Sequence, residues 1–516
     1  MIKFIFILER IKMSDSRTNN SLKNIAASAI YQIVTIVFQF FNRSIFIRVL
    51  GVEYLGINGL FSNILQMLCL ADLGLQTAAV YAMYKPLAEN DERKLAALTN
   101  TYRKLYNVIA IVIASVGVLL IPFLKYLINL DKNIPYINIY YLFALANTVA
   151  SYLVAYKTNI LVADQKMFVL SKVRSYFYVF QTVSMSAVLL LTKNYFVYLG
   201  VQVLFTYATN FCISLEASKR YDFLKYKKEK LNREETKNLF SNIGAVMLNR
   251  ISGLLVTATD NTLISIIVGT VAVGYYSNYS MMIMYLNNIT NMVTSSLTAS
   301  IGNLVIVENE QKRYQIFKVL QTASLMVCVF CSACLYLLMS DFITIWLGAE
   351  FLLPNSVLVA CVINFYFTSI VLPIWTFRQA TGLYQRVKYV MLCTALLNLV
   401  LSIILGLKFG LTGIIIATSI SRVLTYFWYE PPILFKEFLG ESSKVYYIGV
   451  LKNIISTVLL IITGTLIFNN FVVKNWVTLL VKAACVGIFS LVWTIICYGR
   501  SEEFKWILQK ISIKFK

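Results

Sequence analysis

The chain has 516 residues; 59% are hydrophobic, only 14% are charged, and 46 Lys+Arg against 24 Asp+Glu leave a formal charge of +22. A soluble chain usually carries about 25% charged residues, and an ordinary soluble globule could not hide this much apolar surface from water, so that class is excluded. Intrinsic disorder is excluded too, which leaves a polytopic membrane protein with short loops.

Histidine is absent, which removes the commonest general acid–base group and the commonest zinc ligand and lowers the case for an enzyme. The nine cysteines lie in apolar segments (Cys69, Cys212, Cys393 and Cys485 among them), a placement that argues against a disulfide framework. Cys328, Cys331 and Cys334 are spaced C-x-x-C-x-x-C. They read as small residues on one helix face, since an iron–sulfur cluster normally takes four thiolates. No metal or cofactor is expected.

Phe4–Leu8 is too short for a secretory apolar core and is followed by Glu9 and Arg10, so it does not read as a signal peptide. Met13 is an alternative start to Met1, because the apolar pattern begins only after Lys23. From there, stretches near the ~20 residues that cross a bilayer recur. The first six are Asn24–Asn42, Tyr54–Ala71, Leu105–Leu124, Ile134–Tyr156, Ser175–Thr192 and Asn194–Leu215, all uncharged. Ser241–Val268 is apolar apart from Arg250 and Asp260. Asn261–Val307 is an uncharged run of 47 residues, too long for one span, with Gly269 and Gly274 marking its turn. Val319–Ser340, Phe351–Phe377, Tyr389–Leu407, Phe409–Tyr429 (with Arg422), Asn453–Val473 and Asn475–Gly499 (with Lys482) follow. The expectation is an all-α protein of about 14 transmembrane helices, with 12 or 13 as lower counts.

Alternating the spans from a cytoplasmic amino terminus places 34 Lys+Arg in inside segments and 5 outside, with 7 inside spans. That asymmetry fits the positive-inside rule, puts both termini in the cytoplasm, and accounts for the basic excess without nucleic acid. No exterior loop exceeds roughly fifteen residues, so any chemistry is confined to the bundle.

A shift of 218 residues brings Gly51 and Gly56 onto Gly269 and Gly274, Asn24-Ile25 onto Asn242-Ile243, Gln32 onto Arg250, Asn42 onto Asp260 and Ser62 onto Ser280. With one extra residue Glu89-Asn90-Asp91 falls on Glu308-Asn309-Glu310, and basic residues follow both. The chain thus reads as a cytoplasmic segment 1–23, a six-helix bundle 24–216, a basic cytoplasmic linker 217–240, a second six-helix bundle 241–430, and two additional helices with a cytoplasmic tail at 431–516. Six is even, so both halves share one orientation. Parallel repeats of this kind are a transporter architecture with a central cavity. The linker reads as a solvated amphipathic helix on the cytoplasmic face, with contact to anionic headgroups as an additional reading.

Charge inside a span is costly and usually faces protein or water. Arg250, Gly253, Thr257 and Asn261 share a helix face, with Asp260 beside them; Asn287, Asn291, Thr294 and Thr298 share another. The matching first-half hairpin carries Gln32, Asn42, Arg43, Arg48, Asn58, Ser62, Asn63, Gln66 and Asp72. The amides and hydroxyls taken singly read as interhelical glue. Arg43, Arg250 and Asp260 read as the lining of a polar, net basic cavity for a large anionic cargo, with Arg48, Asn287 and Asn291 as further binding candidates. Asp72 and Asp260 are the candidate ion-coupling carboxylates. Arg48 and Arg378 are placed to reach the outer and inner headgroups. Lys157 and Arg422 read as lying near the inner ends of their spans.

Arg48-Val49-Leu50-Gly51-Val52-Glu53-Tyr54-Leu55-Gly56 resembles the start of polysaccharide flippases. Ala71-Asp72-Leu73-Gly74-Leu75, Ala380-Thr381-Gly382 and Phe409-Gly410-Leu411-Thr412-Gly413 resemble their later segments. Over residues 20–430 the chain is similar to the O-antigen and capsule-type flippases of the multidrug/oligosaccharidyl-lipid/polysaccharide exporter superfamily. The resemblance implies a bacterial plasma-membrane flippase, not an enzyme. Its cargo would be an undecaprenyl-pyrophosphate-linked glycan, moved by alternating access. A proton or sodium ion, the lipid bilayer and other polysaccharide assembly proteins are the implied partners. It also likens 446–498 to the extra spans that help form a lipid groove in lipid II flippases. A cation-coupled multidrug exporter is the alternative, but its cavity would favour acidic residues. A membrane polysaccharide polymerase would be expected to show a large exterior loop or a soluble domain.

Overall fold

A computed structural model describes residues 17–69, 75–129, 134–236, 239, 259–381 and 383–514. Among them every regular element is helical. In chain order the α-helices of eight residues or more are α1 (Arg17–Leu50), α2 (Val52–Leu68), α3 (Leu75–Ala88), α4 (Glu92–Leu119), α5 (Ile137–Tyr152), α6 (Ala155–Ala163), α7 (Met167–Thr192), α8 (Tyr195–Arg220) and α9 (Asp260–Ile267). Then come α10 (Thr270–Val307), α11 (Glu310–Trp346), α12 (Asn355–Ile370), α13 (Leu372–Thr381), α14 (Tyr384–Leu424), α15 (Tyr426–Leu434), α16 (Lys444–Phe468), α17 (Trp476–Tyr498) and α18 (Glu502–Lys514). Short polar caps start several of them. Asp91 accepts from the Lys94 amide, Asn309 from Lys312, and Asn475 from Thr478, whose hydroxyl completes a capping box.

Among the described residues nine helical segments are long and apolar enough to cross a membrane, or ten if α5 and α6, bent by 44° at their break, form one span. One of these segments, Tyr389–Leu439, has 51 residues and turns at Gly410 (φ 57, ψ −136), which gives it the length for two crossings. The outward surface is apolar: Leu191 is 84% exposed and Leu466 75%, which suits hydrocarbon rather than water. The chain is an all-α, multi-pass membrane protein. Most of the seventh expected span falls in 240–258, outside the described residues.

The chain divides into two compact units, residues 1–51, 64–126 and 131–251, and residues 52–63, 127–130 and 252–516. In the first, α1 packs on α7, α7 on α8, and α8 on α5. Its polar contacts close on themselves. Asn42 Nδ2 donates to the Tyr198 hydroxyl at 2.8 Å and Asn42 Oδ1 accepts from Ser186 at 3.2 Å. Thr206 donates to Asn147 at 2.6 Å, and Asn159 to the Tyr106 hydroxyl at 3.1 Å.

In the second unit α11 packs against α12, α16 and α17, α10 against α13, and α9 against α14. Phe317, Phe377, Phe435 and Tyr446 fill the centre, with Phe317 edge to face against Phe377 and Phe435. The two additional helices are fastened by buried polar groups. Asn453 donates to the Leu325 carbonyl at 3.1 Å and to the Tyr498 hydroxyl at 2.6 Å, and Lys482 pairs with Asp341 at 2.6 Å. Cys328 Sγ is buried and donates to the Tyr366 carbonyl. Arg378 pairs with Glu430 at 2.6 Å and lies over Trp375. This partner, which spacing along the chain cannot reveal, takes the side chain that the sequence placed at the inner headgroups.

The 218-residue register reappears in the helix boundaries. Val52 and Thr270, Glu92 and Glu310, and Ile137 and Asn355 begin matching helices. The caps Asp91 and Asn309 also match at this shift, so the loop needs no extra residue. The glycine pairs have split duties. Gly51 (φ 91) and Gly269 (φ 128) make the turns in a left-handed conformation. Gly274 is not part of the turn. It lies inside α10, where a Cβ would stand 2.6 Å from the Val52 carbonyl, and a Cβ on Gly56 would stand 2.1 Å from the Thr270 carbonyl. The two matched glycines therefore set the close crossing of α2 and α10. Gly274→Leu should cost about 1–3 kcal/mol, read as a lower thermal-unfolding midpoint in detergent. Leu at Gly487, where a Cβ meets nothing within 4 Å, should leave the midpoint unchanged.

Candidate functional site

Asp260, the first residue of α9, precedes the Gly269 turn by nine residues, about 14 Å of helix. Arg422 follows the Gly410 turn by twelve residues, about 18 Å. Each thus lies near mid-depth of a hydrocarbon layer about 30 Å thick. Arg422 is therefore not near the inner end of its span: the helical run continues through α15 and beyond to Leu439.

Both side chains line one cavity of ≈ 380 Å³ within the second unit, together with Asn63, Asn261, Asn287, Asn364, Thr368 and Tyr276. Arg422 is only 9% exposed. Its Nη1 donates to Asn364 Oδ1 at 3.1 Å and to Thr368 Oγ1 at 2.6 Å. Both acceptors are neutral, and among the described residues no carboxylate pairs with Arg422. Asp260 Oδ1 is buried without a hydrogen-bond partner. A buried charge normally has a partner, so a guanidinium and a carboxyl group that share a cavity without a salt bridge are arranged for something other than stability.

Helix breaks frame these groups. α12 gives way to α13 at Val371, one turn past Thr368, where Pro373 prevents a regular helical bond. α14 gives way to α15 at Thr425 (φ −120, ψ −104), three residues past Arg422. Interrupted helices at mid-depth are where membrane transporters place binding groups, because the freed backbone must face protein or water.

The sequence-derived candidates are distributed as follows. Asp260 and Asn287 share the cavity. Asn291, a turn beyond Asn287 on α10, is exposed and is not part of the lining. Arg43 is half-buried on α1 in the first unit, within electrostatic reach of Tyr198, and Arg48 is exposed in the last turn of that helix. Arg250 and Asp72 lie outside the described residues. Sequence reasoning ranked Arg422 low and missed Asn364, Thr368 and Tyr276. Asn364 and Thr368 stand one helical turn apart in an otherwise apolar, uncharged span, and that spacing was the available signal.

The family model of the polysaccharide biosynthesis protein family matches residues 21–301, more than half of the chain. The chain belongs to that family. No curated protein sequence matches it. Among solved structures, the fold of this family member is shared with a lipid II flippase, MurJ, in an inward closed conformation: TM-score 0.70, 15% identity, 92% of this chain and 98% of that one. It is shared with an inward-facing multidrug resistance MATE family transporter of the MOP superfamily: TM-score 0.61, 14% identity, 78% and 97% covered. It is shared also with a MOP superfamily transporter from Pyrococcus furiosus described as having a binding pocket of reverse polarity: TM-score 0.57, 13% identity, 81% and 96% covered. These neighbours are transporters and flippases rather than enzymes.

The repeat offers an internal control. Asn42 and Asp260 occupy matched positions, yet Asn42 has both ends of its amide bonded while Asp260 Oδ1 has no partner. Asn42→Ala should lower thermal stability by about 1 kcal/mol. Asp260→Asn should leave the midpoint unchanged or raise it. A loss from Asp260→Asn as large as that from Asn42→Ala would make the carboxylate a packing group.

Proposed function

We propose that this chain is a flippase that carries undecaprenyl-pyrophosphate-linked oligosaccharide from the inner to the outer leaflet of a bacterial plasma membrane by alternating access. Both termini face the cytoplasm, and a proton or sodium ion drives the cycle through Asp260. The observation that carries the reading is the guanidinium of Arg422, held by neutral acceptors and paired with no carboxylate among the described residues, in a polar cavity at membrane depth. A diphosphate is the ligand class that such a group favours, through charge-assisted bonds in a low dielectric. The amides of Asn63, Asn261, Asn287 and Asn364 offer donors and acceptors suited to sugar hydroxyls. Asp260, with a free oxygen, is suited to take and release a cation. Family membership supports glycan assembly as the setting, with other polysaccharide assembly proteins of the same membrane as partners. A multidrug exporter for cationic drugs is less well supported, because Arg422 would repel that cargo.

The test is complementation of a deletion strain of the native host. Arg422→Gln should reduce surface glycan by more than about tenfold, the cost of one charge-assisted bond to the cargo, with lipid-linked intermediates accumulating on the cytoplasmic leaflet and the protein still in the membrane. Asp260→Asn should remove the response of export to the proton or sodium gradient. Normal export from Arg422→Gln would contradict the proposal.

A further inference from the structure

The first unit holds a second cavity, of ≈ 280 Å³, where α4, α6 and α8 meet the linker. Its walls carry Arg103, Lys157, Lys225 and Lys227 and no carboxylate, with Asn100 and Ser218 between them. Of the acids on or beside the same elements, Asp222 pairs with the wall's own Lys225 at 2.5 Å, Asp164 with Lys166 and the Tyr221 hydroxyl, Glu216 with Arg220, and Glu235 with Lys94. Three of the four cations, Arg103, Lys157 and Lys227, therefore have no acidic partner among the described residues.

The cavity is built rather than incidental. Lys157 is half-buried and its ammonium is aimed by Ser214 Oγ at 2.6 Å and Ser218 Oγ at 2.9 Å. Arg103 is half-buried against the Tyr156 hydroxyl. The linker that supplies Lys225 and Lys227 is fixed to α4 by Asn100, which donates to the Tyr226 and Glu229 carbonyls at 2.8 and 3.1 Å, and by the buried Phe223. Like charges held this close repel one another, and a multivalent anion relieves that repulsion.

We propose that this cavity is a phosphoryl-binding site, separate from the Arg422 cavity and independent of the transport reading. Its ligand is a phosphate monoester or diphosphate, delivered as the headgroup of an anionic lipid or as a free phosphate compound. A lipid headgroup would tie the linker to the membrane surface, and a free phosphate would report the state of the cytoplasm.

The full-length protein tests this in two arms. In detergent, inorganic pyrophosphate is titrated against wild type, Lys227→Gln, and the Arg103→Gln/Lys157→Gln/Lys227→Gln triple variant. In nanodiscs, thermal stability is compared between phosphatidylcholine alone and phosphatidylcholine containing phosphatidic acid, a phosphate monoester. A free-phosphate site predicts saturable pyrophosphate binding, about tenfold weaker in the triple variant and roughly threefold weaker in Lys227→Gln. Lys227 is exposed, so that change leaves folding intact. A headgroup site predicts stabilisation by phosphatidic acid that shrinks in both variants, with weak pyrophosphate binding. If wild type and Lys227→Gln behave alike in both arms, the proposal is overturned.

Discussion

A guanidinium at the middle of a bilayer is tolerated only where protein or water surrounds it. Arg422 meets that condition through Asn364 and Thr368, two neutral acceptors that stabilise the ion without cancelling its charge. Much of the second unit follows from this constraint. α12 and α14 break within a turn of the groups that hold the arginine, and polar residues from five helices converge on the space in front of it. Elsewhere in the unit two cations are neutralised by carboxylates, Arg378 by Glu430 and Lys482 by Asp341. Those pairs fasten helices. Arg422 and Asp260 form no salt bridge with each other, and that contrast distinguishes this cavity from the pairs that hold helices together.

The internal repeat sharpens the contrast. Duplicated helices start 218 residues apart, turn on matched left-handed glycines and cross at matched small ones. On this common frame the matched positions have taken on different chemistry. Asn42 knits α1 to α7 and α8, whereas Asp260 leaves an oxygen facing no donor. A fold that tolerates duplication of its scaffold can assign stability to one copy of a position and ligand chemistry to the other.

The scaffold was legible in the sequence because its causes are local. Apolar run length and glycine turns each act within a few residues. The loop after α3 shows the limit of matching letters: Glu89-Asn90-Asp91 resembled Glu308-Asn309-Glu310, but the caps follow the backbone and pair Asp91 with Asn309. Pairings across the bundle were not legible. Nothing in the chain order joins Arg378 to Glu430, or Arg422 to Asn364 and Thr368, since each contact spans more than fifty residues. Asp260 could be found because a charge in an apolar run is conspicuous. Arg422 was equally conspicuous, yet its depth depended on a helix continuing to Leu439 across the break at Thr425 and the prolines Pro431 and Pro432.

In the proposed function the Arg422 cavity receives a lipid-borne diphosphate. Equilibrium binding of undecaprenyl pyrophosphate to the purified protein in nanodiscs, wild type against Arg422→Gln, measures this without the rest of the export pathway. Affinity reduced about tenfold or more in the variant is the predicted result, with the phosphate-free alcohol undecaprenol binding both proteins equally. Equal diphosphate affinity for the two proteins would contradict the account.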